Sequence, residues 1–234
     1  AEVNPKAVQT RYSQGWVDEV ISDKGRLAEK ILEAKRSHRP RSFAFPGNIV
    51  DLWEYLAQNN IKVDIGSDQT SLHNPWAGGY YPAGVSFEES NRLISSDPEK
   101  FRDLVRESLR RQVKAINHHS ERGTYFFDYG NAFLLEASRA GADILDPSGE
   151  FRYPSYVQDI MGPMCFDYGF GPFRWVCCSN SPADLETTDR IAVEILEKLI
   201  KTSPPEIIQQ MSDNIRWIME AGRNKLVVGS QARI

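Results

Sequence analysis

The stretch Ile61-Lys62-Val63-Asp64-Ile65-Gly66-Ser67-Asp68-Gln69-Thr70-Ser71-Leu72-His73-Asn74-Pro75 decides how the rest of the chain is read. Ile61–Ile65 is a short apolar run that predicts a strand, and Gly66–Thr70 is a polar segment that follows it. The connection then continues through Trp76-Ala77-Gly78-Gly79-Tyr80-Tyr81-Pro82. In an open parallel sheet, ligands bind where strands give way to loops at their carboxyl ends. A connection this long is uncommon inside a compact domain unless it has a task. It carries hydroxyl, amide, imidazole and phenol groups, all able to read ribose hydroxyls or a carboxamide. Gly78-Gly79 lets backbone approach a ligand closely. A solvated surface loop is the alternative, but three large aromatics would be wasted in one.

Working outward, strands and helices alternate. Gly25–Lys35 places Leu27, Ile31, Leu32 and Ala34 on one helical face, with Ser22 or Asp23 as cap. Ser42–Phe45 reads as a strand broken by Pro46-Gly47, and Ile49–Ala57 carries Leu52, Trp53 and Leu56 at helical spacing. Asp97-Pro98 opens a long helix whose stripe is Phe101, Leu104, Val105, Leu109, Val113 and Ile116. Thr124–Phe127 predicts a further strand, ahead of Asp128-Tyr129-Gly130-Asn131 and a helix over Ala132–Arg139. Strands separated by helices of this length predict an α/β fold, a parallel sheet covered by helices on both faces. From Asp146 to Phe173 the sequence turns rich in Pro, Gly and aromatics with no clean period. Helices over Ala183–Ile200 and Pro205–Glu220 and a buried strand at Lys225–Gly229 follow, so a second domain is expected to begin between about Gly149 and Ile160. The chain opens without Met and ends on Ala232-Arg233-Ile234 with no polar tail, the expectation for an internal piece of a longer polypeptide.

Two more junctions carry chemistry. Pro46-Gly47-Asn48 leads into a helix, where backbone N–H groups and the helix dipole favour an anion; an ordinary Asn-capped turn is the other reading. Tyr129 would stand just past a strand end, at the mouth of a cleft or as a bonded core tyrosine. In Gly169-Phe170-Gly171-Pro172-Phe173-Arg174-Trp175, an Arg between aromatics suits bidentate capture of a carboxylate, or packs by stacking alone. Adjacent His118-His119 point about 100° apart on a helix, so they read as a surface helix end and not as a metal site. Arg106–Lys114 reads as a solvated helix face.

Composition sets outer bounds. With 28 Lys+Arg against 32 Asp+Glu and a net charge of -4, a broad cationic nucleic-acid surface is not expected. No apolar run approaches the ~18 residues needed to span a bilayer. The three cysteines, Cys165 and the adjacent Cys177 and Cys178, lack Cys-x-x-Cys spacing, which argues against zinc and suits a reducing, cytoplasmic compartment. No Gly-x-Gly-x-x-Gly occurs, so the usual pyrophosphate cradle of a dinucleotide site is missing from these residues.

Four strings, Asp68–Pro75, Gly79-Tyr80-Tyr81-Pro82-Ala83-Gly84, Phe127-Asp128-Tyr129-Gly130-Asn131 and Gly171-Pro172-Phe173-Arg174-Trp175, in that order, resemble the urocanase family, and the likeness runs from Glu2 to Ile234. The resemblance implies a Rossmann-like NAD-binding domain over residues 1–152, lacking its first strand and glycine-rich loop, followed by part of the family's core domain over 153–234. It implies a parent hydratase of histidine degradation that adds water to urocanate, giving 4-imidazolone-5-propionate, and works as a homodimer. Tightly held NAD+ would serve there as an electron sink for the imidazole ring and not as a hydride carrier.

Carried over by motif, Glu2 matches the acid that accepts hydrogen bonds from the adenosine ribose. Gly47-Asn48 matches the family's turn, with Ile49 where members often have Ala. Gln69, Thr70, Ser71, Leu72 and His73 match the cofactor loop, Tyr80 and Tyr81 the pair closing it, and Tyr129 the cofactor tyrosine. Ala7 holds a position where many members carry Arg. Arg174 is the candidate substrate-carboxylate anchor. The family's essential cysteine would directly follow Ile234, so the resemblance assigns no catalytic residue here and the 234 residues alone are expected to be inactive. Two other readings compete: a non-catalytic NAD-binding or interaction module derived from that enzyme, and an NAD-dependent oxidoreductase, which the missing glycine loop disfavours.

Overall fold

The computed structural model describes residues 1–165, 167, 175–176, 179, 181–220 and 232–233. Arg174, Cys177, Cys178 and the strand expected at Lys225–Gly229 lie outside the described residues. The chain divides into two compact units, Ala1–Asp167 and Tyr168–Ile234.

In the first unit, local capping chemistry starts most helices. Asn4 accepts from the Lys6 N–H to open α1 (Pro5–Ser13), a short helix whose polar sequence gives no periodic signal. After β1 (Glu19–Val20), Asp23 accepts from the Arg26 N–H at the start of α2 (Lys24–Ser37). That helix buries Leu27 and Ala28, whereas Leu32, read as core-facing, is exposed. β2 (Phe43–Ala44) pairs parallel with β1, and Asn48 caps α3 (Ile49–Gln58). β3 spans Ile65–Asp68. It therefore begins where the apolar run ends and occupies the segment read as polar loop. Gly66 makes this possible: Trp53 covers it so closely that an added Cβ would lie 2.5 Å from the indole ring. Ser86 accepts from the Glu89 N–H to cap α4 (Phe87–Ser96), and Asp97 accepts from Lys100 N–H to cap α5 (Pro98–Glu121). β4 (Tyr125–Asp128) pairs parallel with β3, and α6 (Phe133–Arg139) follows.

The main core forms around α5, whose Phe101, Val105, Leu109, Val113 and Ile116 are all buried. A smaller cluster joins Ile21, Leu27 and Phe45. Arg111 on α5 grips Glu54 on α3 through two bonds of 2.8 and 2.7 Å, which holds the Glu54 carboxyl below its ordinary range. His119 departs from the surface position expected of it. It is buried and donates from Nε2 to the Trp53 carbonyl at 3.1 Å, because α3 packs on α5 and supplies that acceptor.

Parallel bridges extend both strand pairs: Glu2 beside Pro46, and Ser155 beside Asp128. Beyond Ser155 the chain runs through a π-helical turn, Tyr156–Met161, into α7 (Gly162–Met164).

In the second unit, β5 (Trp175–Val176) pairs antiparallel with β6 (Ala232–Arg233). α8 (Pro182–Ile200) and α9 (Pro205–Glu220) pack as a hairpin with Leu185 and Leu196 buried.

Candidate functional site

At the carboxyl ends of the parallel strands, a run of contacts connects Glu2, Gly47, Asn48, Tyr81, Ser71 and Tyr129, while the Gln69 side chain donates to the Ser67 hydroxyl instead. The Glu2 N–H donates to the Phe45 carbonyl and the Gly47 N–H donates back to Glu2, both at 3.0 Å. Glu2 is exposed, and its carboxylate accepts from the Asn4 N–H at 2.8 Å, which turns it at the start of α1. Next along, Asn48 does two jobs. Its Oδ1 accepts from the Val50 N–H at 2.9 Å, and its Nδ2 donates to the Tyr81 carbonyl at 2.8 Å. The first junction is thus fastened to the far end of the long loop.

That loop closes on itself. The Ser71 N–H donates to the Gly79 carbonyl at 2.9 Å, and Gly79 runs so near the opposing backbone that a Cβ there would meet the Ser71 and Asn74 oxygens at 2.1 and 2.4 Å. Gly78 turns with φ +85°. Gln69, Ser71 and His73 are exposed. Leu72 and Tyr80, at 1% and 2% exposure, sit in the core, so any contact they make with a ligand would come from their backbone. The Tyr80 phenol is pushed well up by burial first and then by the Asp68 carboxylate. Tyr81 donates to Asn91 Oδ1 at 2.9 Å and rests against the Phe87 ring.

Beneath the loop lies Asp68, the last residue of β3, 3% exposed. It accepts from the Thr70 N–H at 3.0 Å, the Thr70 hydroxyl at 2.6 Å, Asn131 Nδ2 at 2.8 Å and Gln112 Nε2 at 2.8 Å. Every one of these partners donates, so the carboxylate serves as the common acceptor. Asn131 also donates to the Thr70 carbonyl at 2.6 Å. The Asp68 carbonyl accepts from the Tyr129 N–H at 3.2 Å, which places Tyr129 beside the loop. The Tyr129 side chain is 48% exposed and stacks on Tyr156, rings 5.3 Å apart and 3° from parallel. Tyr156 follows the bridge at Ser155, so the ends of three adjacent strand segments lead to Gln69, Tyr129 and Tyr156.

Sequence reasoning did not single out Asp68, Gln112 or Tyr156 as site residues. Asp68 stood inside a quoted motif, and Gln112 is a polar residue one position before Val113 of the apolar stripe, a signal that could have been used. Tyr156 lies in a stretch with no period to read. Cys165 is a half-buried free thiol away from these contacts.

Residues 1–160 match the family model for the urocanase Rossmann-like domain, and residues 163–234 match that for the urocanase C-terminal domain. The chain belongs to the urocanase family. It is 57% identical over 240 residues to the probable urocanate hydratase of Dictyostelium discoideum, covering all of this chain and 35% of that protein. It is 51% identical over 243 residues to the urocanate hydratase of Homo sapiens, covering all of this chain and 36% of that protein. A more distant relative, the probable urocanate hydratase of Halobacterium salinarum, is 32% identical over 199 residues, or 83% of this chain and 34% of that protein. The chain thus spans about a third of the length of these curated relatives. The described parallel pairs of the first unit agree with a Rossmann-like domain. Among the described residues, no helix is long and apolar enough to cross a membrane.

Around the junctions of this urocanase-family chain, the exposed groups are hydrogen-bonding and aromatic. Glu2 offers a carboxylate, Gln69, Ser71 and His73 offer amide, hydroxyl and imidazole, and Tyr129 offers an aromatic face.

Proposed function

We propose that the chain is a portion of urocanate hydratase, which adds water to urocanate to give 4-imidazolone-5-propionate in histidine degradation. In this reading, residues 1–152 supply most of the non-phosphate contacts to NAD, and residues 153–234 begin the core domain. Bound NAD+ supplies a cationic electron sink that activates the imidazole ring toward water. Glu2 would hold the adenosine ribose, the Gly47–Ile49 turn would approach the cofactor with its backbone, and the 69–73 segment with Tyr80 and Tyr81 would supply the cofactor loop. Tyr129 lies against the cofactor and Arg174 anchors the substrate carboxylate. The enzyme is read as a cytoplasmic homodimer.

The observation that carries this reading is the unbroken run of contacts from Glu2 through Gly47, Asn48, Tyr81 and the 69–80 loop to Asp68 and Tyr129, all at strand carboxyl ends. Scattered positions would not support it. The test uses the full-length enzyme carrying this chain, with NAD released by denaturation and quantified, and turnover followed by loss of urocanate absorbance. Tyr129→Ala is expected to lower NAD occupancy, and Arg174→Ala to raise KM chiefly, as loss of a contact made equally in ground and transition states does. Full NAD occupancy in the first variant removes Tyr129 from the site, and an unchanged KM in the second removes Arg174.

A further inference from the structure

Gln112 is fully buried on the core-facing side of α5, next to Val113 and Leu109. A primary amide there is costly unless both its ends are bonded. Both are. Its Nε2 donates to Asp68 Oδ2 at 2.8 Å, and its Oε1 accepts from the Tyr80 hydroxyl at 2.7 Å. Asp68 immediately precedes the 69–79 segment and Tyr80 ends it. One amide therefore ties the entry of the loop to its exit, from a helix more than thirty residues away in sequence. The polarity is fixed: phenol to amide oxygen, amide nitrogen to carboxylate.

We propose that Gln112 is a positioning residue that clamps the two ends of the 69–80 loop, and through that loop sets the cofactor affinity of the site. The affinity half rests on the NAD reading above, while the clamp itself does not. The charged or titratable groups around the clamp are Asp68 and its strand neighbour Asp128, Tyr80 on the loop, Arg111 on α5 and Asp51 on α3.

The test exploits the fixed polarity. Gln112→Glu removes the donor to Asp68 and sets two carboxylates against each other, so at pH 8 the clamp should open. At pH 6 the close pair is expected to share a proton, because like charges in contact raise one of the two pKa values. A proton between them restores the missing bond. The double variant D68N/Q112E reverses the direction of that bond while keeping one buried negative charge. The introduced carboxylate accepts from Tyr80 and from the new amide, whose remaining oxygen still accepts from Thr70 and Asn131.

In the full-length enzyme, Q112E should bind NAD about tenfold or more weakly at pH 8, by the usual cost of a lost buried partner. It should recover toward wild type at pH 6, and the double variant should stay within about threefold of wild type at both pH values. Hydrogen exchange of the Ser71 amide, expressed as protection factors without cofactor, should fall in Q112E at pH 8 and return in the double variant. Wild-type protection in Q112E at pH 8, or no recovery in the double variant, overturns the clamp. If protection behaves as stated while wild-type enzyme binds no NAD, the clamp stands and the cofactor reading fails.

Discussion

The two strand-end junctions of the first unit are built in different ways. At Gly47–Asn48, backbone bonds with the Glu2 segment and a single capping side chain, which also reaches the Tyr81 carbonyl, do the fastening. At Asp68–Tyr81, a longer excursion is held by a buried carboxylate, two amides and a phenol drawn from β3, α5, the segment before α6 and the loop itself. A short turn costs little conformational entropy and needs little support, whereas a loop of a dozen residues stays in one shape only if side chains from elsewhere fix it. The second junction is therefore the one that distant substitutions can disturb.

Gly79→Ala should give the largest separation between the junctions. The new Cβ would collide with two backbone oxygens of the same loop, and backbone cannot swing aside. The expected loss is about 3 kcal/mol, the upper part of the overpacking range, with NAD affinity falling alongside. Gly47→Ala meets the ring of Phe45 instead, at 2.5 Å, and a ring has rotamers to try. Denaturant unfolding of the two variants should rank Gly79→Ala as clearly the worse. An equal loss in both would show that the loop is no more constrained than the turn.

The same contrast explains what the sequence disclosed. Helices with strong periodicity were readable: the stripe of α5 and the cap at Asp97 are found as expected. Strand β3 was displaced toward its carboxyl end because Gly66, Ser67 and Asp68 carry no hydrophobic signal; their place in the sheet is set by Trp53 from another helix and by donors from three segments. α1 is polar with no apolar period, and α4 had its Ser-x-x-Glu start in plain view but was not used. The loop's exposed groups were legible as chemistry. Its supports were not, since no local pattern links Gln112 to Tyr80.

The floor of the loop junction responds to pH through His119. Burial lowers the His119 pKa from its ordinary 6.5, and the bond to the Trp53 carbonyl only partly opposes this. As pH falls through about 6.5 the unfolded chain takes up a proton that the folded chain still refuses, so stability is lost on acidification and is fully present above that value. The slope from this one group reaches at most about 1.4 kcal/mol per pH unit, down to the folded pKa. Trp53 covers Gly66 at the foot of the loop, so the loss should appear there. The stability difference between pH 7.5 and 5.5 should shrink in His119→Gln. An unchanged pH dependence would assign the acid sensitivity elsewhere.

Where the two junctions join, the smallest effect is expected from Asn48→Asp, set against Asn48→Ala. Asn48→Ala removes both the helix cap and the bond to the Tyr81 carbonyl, and should cost about 1–2 kcal/mol, the range for losing such a cap. Asn48→Asp separates the two roles, because a carboxylate still accepts from the Val50 N–H but has nothing to donate to Tyr81. If the turn is self-sufficient, as the comparison holds, Asn48→Asp should keep nearly all of the stability measured by denaturant unfolding. Its exchange protection should then fall only in the loop, at the Ser71 amide that closes it. A large stability loss in Asn48→Asp would instead make the tie to Tyr81 the main support of the turn, and the two junctions would have to be treated as one unit.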